Sequence, residues 1–383
     1  MHDCSTSVYL NNSLESNGCI EKNLGEQPRS IMTKGTSIRA KSSRPYGNFD
    51  PGNEDKLMIS YSRDRQEQYS LDRACGVVYE GDMHFFGGSN FGRSNDGYGD
   101  FRSQHLVIEK LKGKLPRLIQ KEMLDLRISS PACSVFEWPS ERFPYLDETA
   151  VFICFAIEFG RSCVKFDGNF EYLSENLIKT YYSYFYHNDA GLVKYNGKLL
   201  TFGGQNKAHL ATELMERHNG SFRWTHVQAD FGFTKGHILQ DYSLVTVDSV
   251  DFKDEFVLLI GGNTIPAVLH LYEEATLTPS QDVYKFNGTW FHFGKLMHAR
   301  DNFSSIYWNG RVYIIGGHYM YNFHGLNESE WWAKTNYGGN TNIEIWNITE
   351  SPDNFQTSEN WPILFSWSNP HLFIVSDSFF PTR

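Results

Sequence analysis

Residues 77–88 read Val-Val-Tyr-Glu-Gly-Asp-Met-His-Phe-Phe-Gly-Gly: an apolar strand, a tight turn and a second strand that ends in Gly-Gly. The same order recurs without a gap at residues 193–204 and 306–317, and residues 256–262 keep its second half. Repeats on this scale predict a fold built from stacked or radially arranged units. The repeat therefore predicts the architecture more sharply than it predicts a ligand.

A second hairpin pattern lies between the Gly-Gly copies. Residues 164–170, 216–222 and 284–290 share a basic residue, Phe or His, Asn/Asp-Gly, one variable residue and then Phe or Trp. Asn-Gly and Asp-Gly favour the type I′ turn, in which both central residues have φ > 0. Each repeat is therefore predicted to hold two antiparallel hairpins, which make four strands.

Four-stranded units in series build a β-propeller. These repeats resemble those of the kelch family, which typically place Gly-Gly at the end of the second strand and an aromatic residue after the second hairpin. The boundary stretch at residues 297–303, Met-His-Ala-Arg-Asp-Asn-Phe, is also similar to kelch repeats, and the resemblance covers roughly residues 70–383. It implies an all-β, kelch-type β-propeller.

The repeats predict six four-stranded blades. Four of them carry a Gly-Gly copy, residues 151–160 give a fifth that ends in Phe-Gly, and residues 366–376 give a last unit without Gly-Gly. That last unit ends too early to supply four strands, and an unpaired sheet edge promotes aggregation. We therefore expect residues near 46–71 to fold back and complete it. Five blades with a decorated end are the alternative.

The charge divides the chain into two parts. The whole chain has a net charge of −10. Residues 1–47 carry six Lys/Arg and four Asp/Glu, a net charge of +2, so the remaining residues carry a net charge of −12. We predict that residues 1–45 are a disordered or loosely ordered basic tail and that residues 46–383 form the propeller, since residues 29–44 are basic and Ser/Thr-rich without an apolar period. The acidic body argues against a nucleic-acid partner.

The sequence also bears on location. No apolar run reaches the roughly 18 residues that a membrane-spanning helix needs, so we predict no membrane partner. The first residues lack a basic-then-apolar leader pattern. This favours the cytoplasm, and secretion is the alternative if the N-terminus is incomplete.

The cysteines do not form a metal motif. They are Cys4, Cys19, Cys75, Cys133, Cys154 and Cys163. Cys75 and Cys133 occupy the same position in the first strands of successive repeats, and we interpret them as small buried residues. The last two flank a turn and share a face, and the first two are expected to pair if the protein is secreted. No spacing matches a zinc site.

The sequence contains none of the common catalytic motifs that we searched for. The chain has no phosphate-binding loop and no nucleophile elbow, and no motif brings His and Tyr residues to one copper ion. We therefore predict no catalytic residues, no metal and no cofactor. The alternative is a secreted propeller enzyme, such as a copper-dependent oxidase-like or glycan-acting protein.

Two long connections are the candidate binding loops. Propeller connections are usually short, so a long one is functional or disordered. Residues 318–341 and 89–104 are rich in the aromatic residues and arginines found at interface hot spots. The predicted binding residues are Tyr319, Tyr321, Phe323, His324, Trp331, Trp332, Phe91, Arg93, Tyr98 and Arg102. We expect a protein-interaction module, and the alternative for the two tryptophans is packing onto their own blades.

Overall fold

The computed structural model describes the following residues: 8–11, 36–39, 55–60, 74–90, 100–101, 104–109, 117–121, 128, 130–140, 147–156, 160–174, 177–204, 211–229, 237–248, 255–266, 278–318, 343–348, 355–357 and 371–376. All regular elements in these ranges are β-strands. No described helix is long and apolar enough to cross a membrane. The chain divides into two compact units, Met1–Ser129 with Pro370–Arg383, and Ser130–Asn369.

The described strands, in chain order, are β1 (Val8–Asn11), β2 (Thr36–Arg39), β3 (Asp55–Ser60), β4 (Ala74–Tyr79), β5 (Asp82–Gly87), β6 (Ser89–Asn90), β7 (Asp100–Phe101), β8 (His105–Glu109), β9 (Arg117–Lys121), β10 (Ala132–Pro139), β11 (Asp147–Cys154), β12 (Ser162–Phe166), β13 (Tyr172–Ser174), β14 (Leu177–Ile178), β15 (Thr180–Tyr182), β16 (Gly191–Tyr195), β17 (Lys198–Phe202), β18 (Thr212–His218), β19 (Ser221–Val227), β20 (His237–Gln240), β21 (Ser243–Val247), β22 (Phe256–Ile260), β23 (Asn263–Pro266), β24 (Thr278–Pro279), β25 (Asp282–Phe286), β26 (Trp290–Lys295), β27 (Asp301–Trp308), β28 (Arg311–His318), β29 (Glu344–Asn347), β30 (Phe355–Thr357) and β31 (His371–Ser376).

Five four-stranded blades repeat along the described chain. In sheet order they are β4-β5-β8-β9, β10-β11-β12-β15, β16-β17-β18-β19, β21-β22-β25-β26 and β27-β28-β29-β30, which we number one to five. Every neighbouring pair in these sheets is antiparallel. The hairpin pattern predicted this arrangement correctly.

The predicted count of six blades is wrong. The two chain ends do share a sheet, with the order β2-β1-β3-β31, and β3 pairs with β31 along its whole length. The strand β3 lies within residues 46–71, the segment that was predicted to fold back. However, β1 and β2 in the same sheet run parallel, whereas a blade is antiparallel throughout. The chain ends thus form a mixed sheet and not a sixth repeat. The division of the chain at residue 45 stays a prediction.

The first unit joins this terminal sheet to the first blade through aromatic packing. The ring of Phe373, on β31, meets the ring of Phe85, on β5, edge to face at 5.4 Å between centroids. Both side chains are buried. Edge-to-face pairs of this kind contribute about 0.5–1.5 kcal/mol beyond the area that they bury.

In the second unit, adjacent blades enclose layers of aromatic and aliphatic side chains. Between the second and third blades, Phe152 and Tyr181 pack with Trp224 and Leu199. Hydrogen bonds cross between blades as well. The indole Nε1 of Trp290, at the start of β26, donates to Thr212 Oγ1 of the third blade at 2.8 Å. Trp290, which ends a second hairpin, is therefore a core residue, and Phe222 in the matching place packs partly buried against the core.

The predicted type I′ geometry is found at the two-residue Asn-Gly turns. It is not found at Asp167-Gly168 or Asn287-Gly288. At Asn309-Gly310 both residues have positive φ, +51° and +76°, as type I′ requires. At Asn287-Gly288 only the glycine is positive, and three residues separate the paired Phe286 and Trp290. A three-residue loop needs one left-handed residue and not two, so the type I′ prediction is wrong at these two hairpins.

We expect Gly310→Val to destabilise the fifth blade. A Cβ at this position would meet no atom within 4 Å, so the whole effect comes from the backbone, whose φ is +76°. A β-branched residue there costs roughly 1 kcal/mol or more, whereas Gly310→Asn should cost less because Asn tolerates this region. Urea unfolding followed by tryptophan fluorescence compares the two. A Gly310→Val protein as stable as the wild type would contradict the turn assignment.

The second blade replaces Gly-Gly by Phe155-Ala156, so its predicted Phe-Gly ending at residues 159–160 is wrong. Phe155 has φ +62°, close to the +63° of Gly203 in the next blade. It keeps this conformation because its ring is fully buried and lies 5.5 Å from the ring of Trp224. Gly160 instead lies before β12, where Asn188 Oδ1 occupies the space that a Cβ would need.

Candidate functional site

The ten predicted binding residues of the two long loops lie outside the described residues. Their role stays a prediction, and so does the pairing of Cys4 with Cys19. The structure instead describes an aromatic surface that the sequence reasoning passed over.

This surface is formed by residues 180–187, which we call the tyrosine segment. It begins with β15, the last strand of the second blade. Tyr182, Tyr184 and Tyr186 are 68%, 54% and 49% exposed, whereas Tyr181 and Ser183 are buried and Phe185 is half-buried. Side chains therefore alternate along the segment, as they do in an extended chain. Three tyrosines face solvent within five residues.

The turn before β12 holds the segment on one side. Ser183 N donates to Arg161 O at 2.7 Å, and the guanidinium Nη2 of Arg161 donates back to Ser183 O at 2.7 Å. His187 N donates to Gly160 O at 2.6 Å. The guanidinium also lies over the ring of Tyr186, 5.5 Å from its centroid, within the range of a cation–π interaction. The backbone that carries the tyrosines is thus fixed by several hydrogen bonds.

A buried carboxylate holds the segment on the other side. Glu213, on β18, is fully buried and accepts hydrogen bonds from Tyr184 N at 2.9 Å, Phe185 N at 3.0 Å and His187 Nε2 at 2.7 Å. Burial raises the pKa of Glu213, but the hydrogen bonds from His187 and the two backbone amides outweigh it, so its pKa lies below the ordinary value. Hydrogen bonds to a charged acceptor are the strong class.

The same arrangement recurs in the fifth blade around Glu344. This fully buried residue accepts hydrogen bonds from Met297 N at 2.9 Å and His298 N at 3.1 Å. Arg300 donates to it from Nε and Nη2, at 3.1 and 3.0 Å, and from Nη1 to Gly316 O at 2.8 Å. Burial lowers the pKa of Arg300 and Glu344 opposes that effect.

The residues around the two glutamates align at a spacing of 113 positions, whereas Glu213 and Glu344 themselves lie further apart in the sequence. The matched pairs are Tyr184 with Met297, Phe185 with His298, His187 with Arg300, and Gly203 with Gly316. The scaffold is therefore shared, but only the third blade's copy carries a row of exposed tyrosines. The sequence analysis recognised the boundary stretch at residues 297–303. An alignment of this stretch with residues 184–190, at the same spacing, would have pointed to the tyrosine segment.

Comparisons with known proteins support the fold. No protein-family model matches the chain, and no curated protein sequence matches it. Among solved structures, that of YjhT is similar, with a TM-score of 0.53, 13% sequence identity, and coverage of 80% of this chain and 95% of that chain. At this identity the likeness shows the fold alone. The chain has a β-propeller fold.

Within the described part of the propeller, no group of three or more His, Cys, Asp or Glu side chains is placed to hold a metal ion. Two histidines of the first blade lie in contact with each other. His84 Nδ1 lies 3.0 Å from His105 Nε2 in the first blade, and both rings are buried beside Phe86. Burial lowers the pKa of His84 to about 4 and that of His105 to about 3, so both imidazoles are neutral at pH 7.

Four cysteines are oxidised in the structure. Cys154 and Cys163 face each other on β11 and β12 and form a disulfide, with 4.0 Å between their Cα atoms. This confirms that they share a face. Cys75 and Cys133 are also disulfide-bonded, which their interpretation as small buried residues did not include.

Proposed function

We propose that the chain is a kelch-type propeller that serves as a protein-interaction module, with the tyrosine segment as part of its binding surface. The observation that carries this proposal is the exposure of Tyr182, Tyr184 and Tyr186 on a backbone anchored to a buried Glu213. Large exposed aromatic side chains that cluster in one place are characteristic of interaction sites.

The chemistry of the segment suits a protein partner. Tyrosine offers a large contact area with few rotatable bonds and a hydroxyl that hydrogen-bonds at the rim of an interface, and it is enriched at hot spots. The fixed backbone lowers the ordering cost of binding. The net charge of −10 argues against a nucleic acid as the partner.

The two long loops extend this proposal. Residues 318–341, with Trp331 and Trp332, and residues 89–104 are proposed as further parts of the binding surface because of their length and their aromatic content. If Trp331 and Trp332 instead pack onto their own blades, their replacement by alanine will lower the melting temperature as well as binding.

The alternative is a secreted propeller enzyme, copper-dependent and oxidase-like or glycan-acting. The Cys154–Cys163 disulfide favours secretion, because disulfides persist in oxidising compartments. We propose that this chain folds in such a compartment in either case. Elemental analysis of the purified protein tests the copper-dependent form of this alternative, since stoichiometric copper would support it.

We expect the triple substitution Tyr182→Ser, Tyr184→Ser and Tyr186→Ser to remove a partner while leaving the fold intact. Hot-spot tyrosines contribute enough that the loss should be about tenfold or more in captured partner. The three side chains are exposed, so the melting temperature should hardly change. The measurement is quantitative affinity capture with mass spectrometry, comparing the wild type with the triple variant.

Phe291→Ser is the matched control, since Phe291 is 40% exposed on β26 of the fourth blade and lies outside the tyrosine segment. It should capture the same partners as the wild type. Equal capture by the triple variant and the wild type would contradict the proposed surface. A companion variant, Trp331→Ala with Trp332→Ala, reports whether residues 318–341 act with the segment.

A further inference from the structure

Two of the second-hairpin turns carry the acceptor pattern for N-linked glycans. Asn-x-Ser/Thr, with x other than proline, is the sequence that receives these glycans in secreted proteins. It occurs six times in the chain, at Asn11, Asn219, Asn287, Asn302, Asn327 and Asn347. Asn219 and Asn287 stand at the tips of the β18–β19 and β25–β26 hairpins, which join the third and fourth strands of their blades.

Exposure separates these two asparagines from the other sequons whose burial the structure describes. Asn219 and Asn287 are exposed, whereas Asn302 and Asn347 are half-buried within β27 and β29. A Cβ at Gly288, beside Asn287, would meet no described atom within 4 Å, so this tip is surrounded by open space. A glycan is bulky and strongly hydrated, so the folded chain has room for one at the two tips.

The turn at Asn287 does not itself require an acceptor sequence. In the second blade, Asp167 N donates to Asn169 O at 3.2 Å across the matching three-residue turn. In the fourth blade, Asn287 N donates to Thr289 O at 3.3 Å in the same way. The turn therefore closes equally well with Asp first and Asn third. Neither the amide of Asn287 nor the hydroxyl of Thr289 is needed to form it, and both residues are exposed.

The disulfides point to the compartment in which this modification takes place. Cys154 and Cys163 are joined, and Cys75 and Cys133 are also oxidised. Disulfides form and persist in the secretory compartments, where N-linked glycans are also attached. The inference that follows rests on the oxidising compartment proposed above, and it does not depend on partner binding.

We propose that Asn219 and Asn287 each carry an N-linked glycan. The donor is an oligosaccharide carried on a lipid diphosphate, and the oligosaccharyltransferase of the compartment catalyses its transfer. The side-chain Nδ2 forms a bond to C1 of the first sugar. The bond from C1 to the diphosphate oxygen breaks, and the released lipid diphosphate keeps that electron pair. The amide gives up one proton to solvent.

The two glycans are attached at the blade ends that lie away from Gly-Gly. Glu213, which anchors the tyrosine segment, and Asn219 lie near opposite ends of β18, about 20 Å apart at the rise of an extended strand. In the fourth blade, Gly261 N donates to Asp282 O at the start of β25, and Asn287 follows the end of that strand. Removal of the glycans should therefore leave partner capture by the tyrosine segment unchanged.

Secretion of the full chain from eukaryotic cells, behind a cleavable leader, tests the proposal. Peptide N-glycosidase converts each glycosylated asparagine to aspartate, which mass spectrometry of the digested protein detects. We expect this conversion at Asn219 and Asn287, and not at Asn302 or Asn347. Thr289→Ala should abolish the modification of Asn287, while Thr289→Ser should retain it, because the acceptor pattern needs a hydroxyl at this position.

Cell-free translation with microsomes keeps the test decisive if the chain is not secreted, because the glycan is transferred before folding is complete. Asn219→Gln and Asn287→Gln should each remove one glycan-dependent step in gel mobility. Gln variants that remove no step, or a secreted protein unmodified at both tips, would overturn the proposal. Conversion at Asn302 and Asn347 equal to that at the tips would also contradict it.

The mass of the secreted protein before and after reduction reports on the disulfides separately. Unmodified tips in a protein whose disulfides have formed would overturn the glycan sites and leave the proposed compartment in place. Reduced cysteines in the secreted protein would instead contradict the proposed compartment. Neither result bears on whether the tyrosine segment binds a partner, because the serine substitutions measure that.

Discussion

Replacing Glu344 by valine is expected to lower the free energy of unfolding by about 3–5 kcal/mol. The substitution removes a fully buried carboxylate that accepts four hydrogen bonds, two from Arg300 and two from the backbone amides of Met297 and His298. The guanidinium of Arg300 is itself fully buried, so it would be left as an uncompensated charge inside the fold. Losses of this size arise from burying an unpaired charge more than from any single contact.

A double-mutant cycle shows whether the pair or the individual side chains carry the effect. Arg300→Ile combined with Glu344→Val removes both charges and leaves apolar side chains in their place. Because the unpaired charge is gone, the double variant should be less destabilised than the sum of the two single variants. Urea unfolding followed by tryptophan fluorescence measures all four proteins. Additive losses would show that the charges are not coupled, against the geometry.

Acidification is expected to destabilise the first unit through the buried histidine pair. Burial holds the pKa of His84 near 4 and that of His105 near 3, below the ordinary 6.5. Below about pH 6.5 the unfolded chain binds these protons and the folded chain does not, so the stability that is full above this pH is lost as the pH falls towards 4. His84 alone accounts for about 3 kcal/mol at pH 4.

Replacing both histidines by phenylalanine should flatten this pH dependence, while His292→Gln, at a half-exposed position, should leave it unchanged. All nine tryptophans lie between residues 138 and 367, so their fluorescence does not report on the first unit. Far-UV circular dichroism and hydrogen exchange over residues 83–108 are the suitable measurements. A double Phe variant that loses as much stability on acidification as the wild type would contradict this account.

The repeats made most of the fold predictable because each level of the sequence agreed with the others. Gly-Gly, the two-residue Asn-Gly turns and the aromatic residue after each second hairpin all indicate four antiparallel strands, and the structure has them. The prediction went wrong where a tertiary contact overrode a local pattern. Phe155 takes the place of a glycine because its ring fills the core beside Trp224. The parallel pairing of β1 with β2 has no signal in local sequence, since it joins distant segments.

The candidate site was much less predictable than the fold. The predicted binding residues were chosen for loop length and aromatic content. All of them therefore lie in residues 89–104 and 318–341. The tyrosine segment is instead held in place by Glu213, which lies about 30 residues further along the chain, on β18. Its strand, Thr-Glu-Leu-Met-Glu-Arg-His, carries two glutamates, and which of them is buried, and with which partners, becomes known only when the strands are paired.

Site-specific photo-crosslinking tests the central claim, that the tyrosine segment binds a partner, most directly. A photoreactive phenylalanine analogue replaces Tyr184 in one protein and Phe291 in another, both at exposed positions. The account predicts that a protein partner is captured covalently from position 184 and not from position 291. It also predicts that Tyr182→Ser with Tyr186→Ser in the same chain suppresses the capture. Equal labelling from the two positions, or capture that the two serine substitutions leave unchanged, would contradict it.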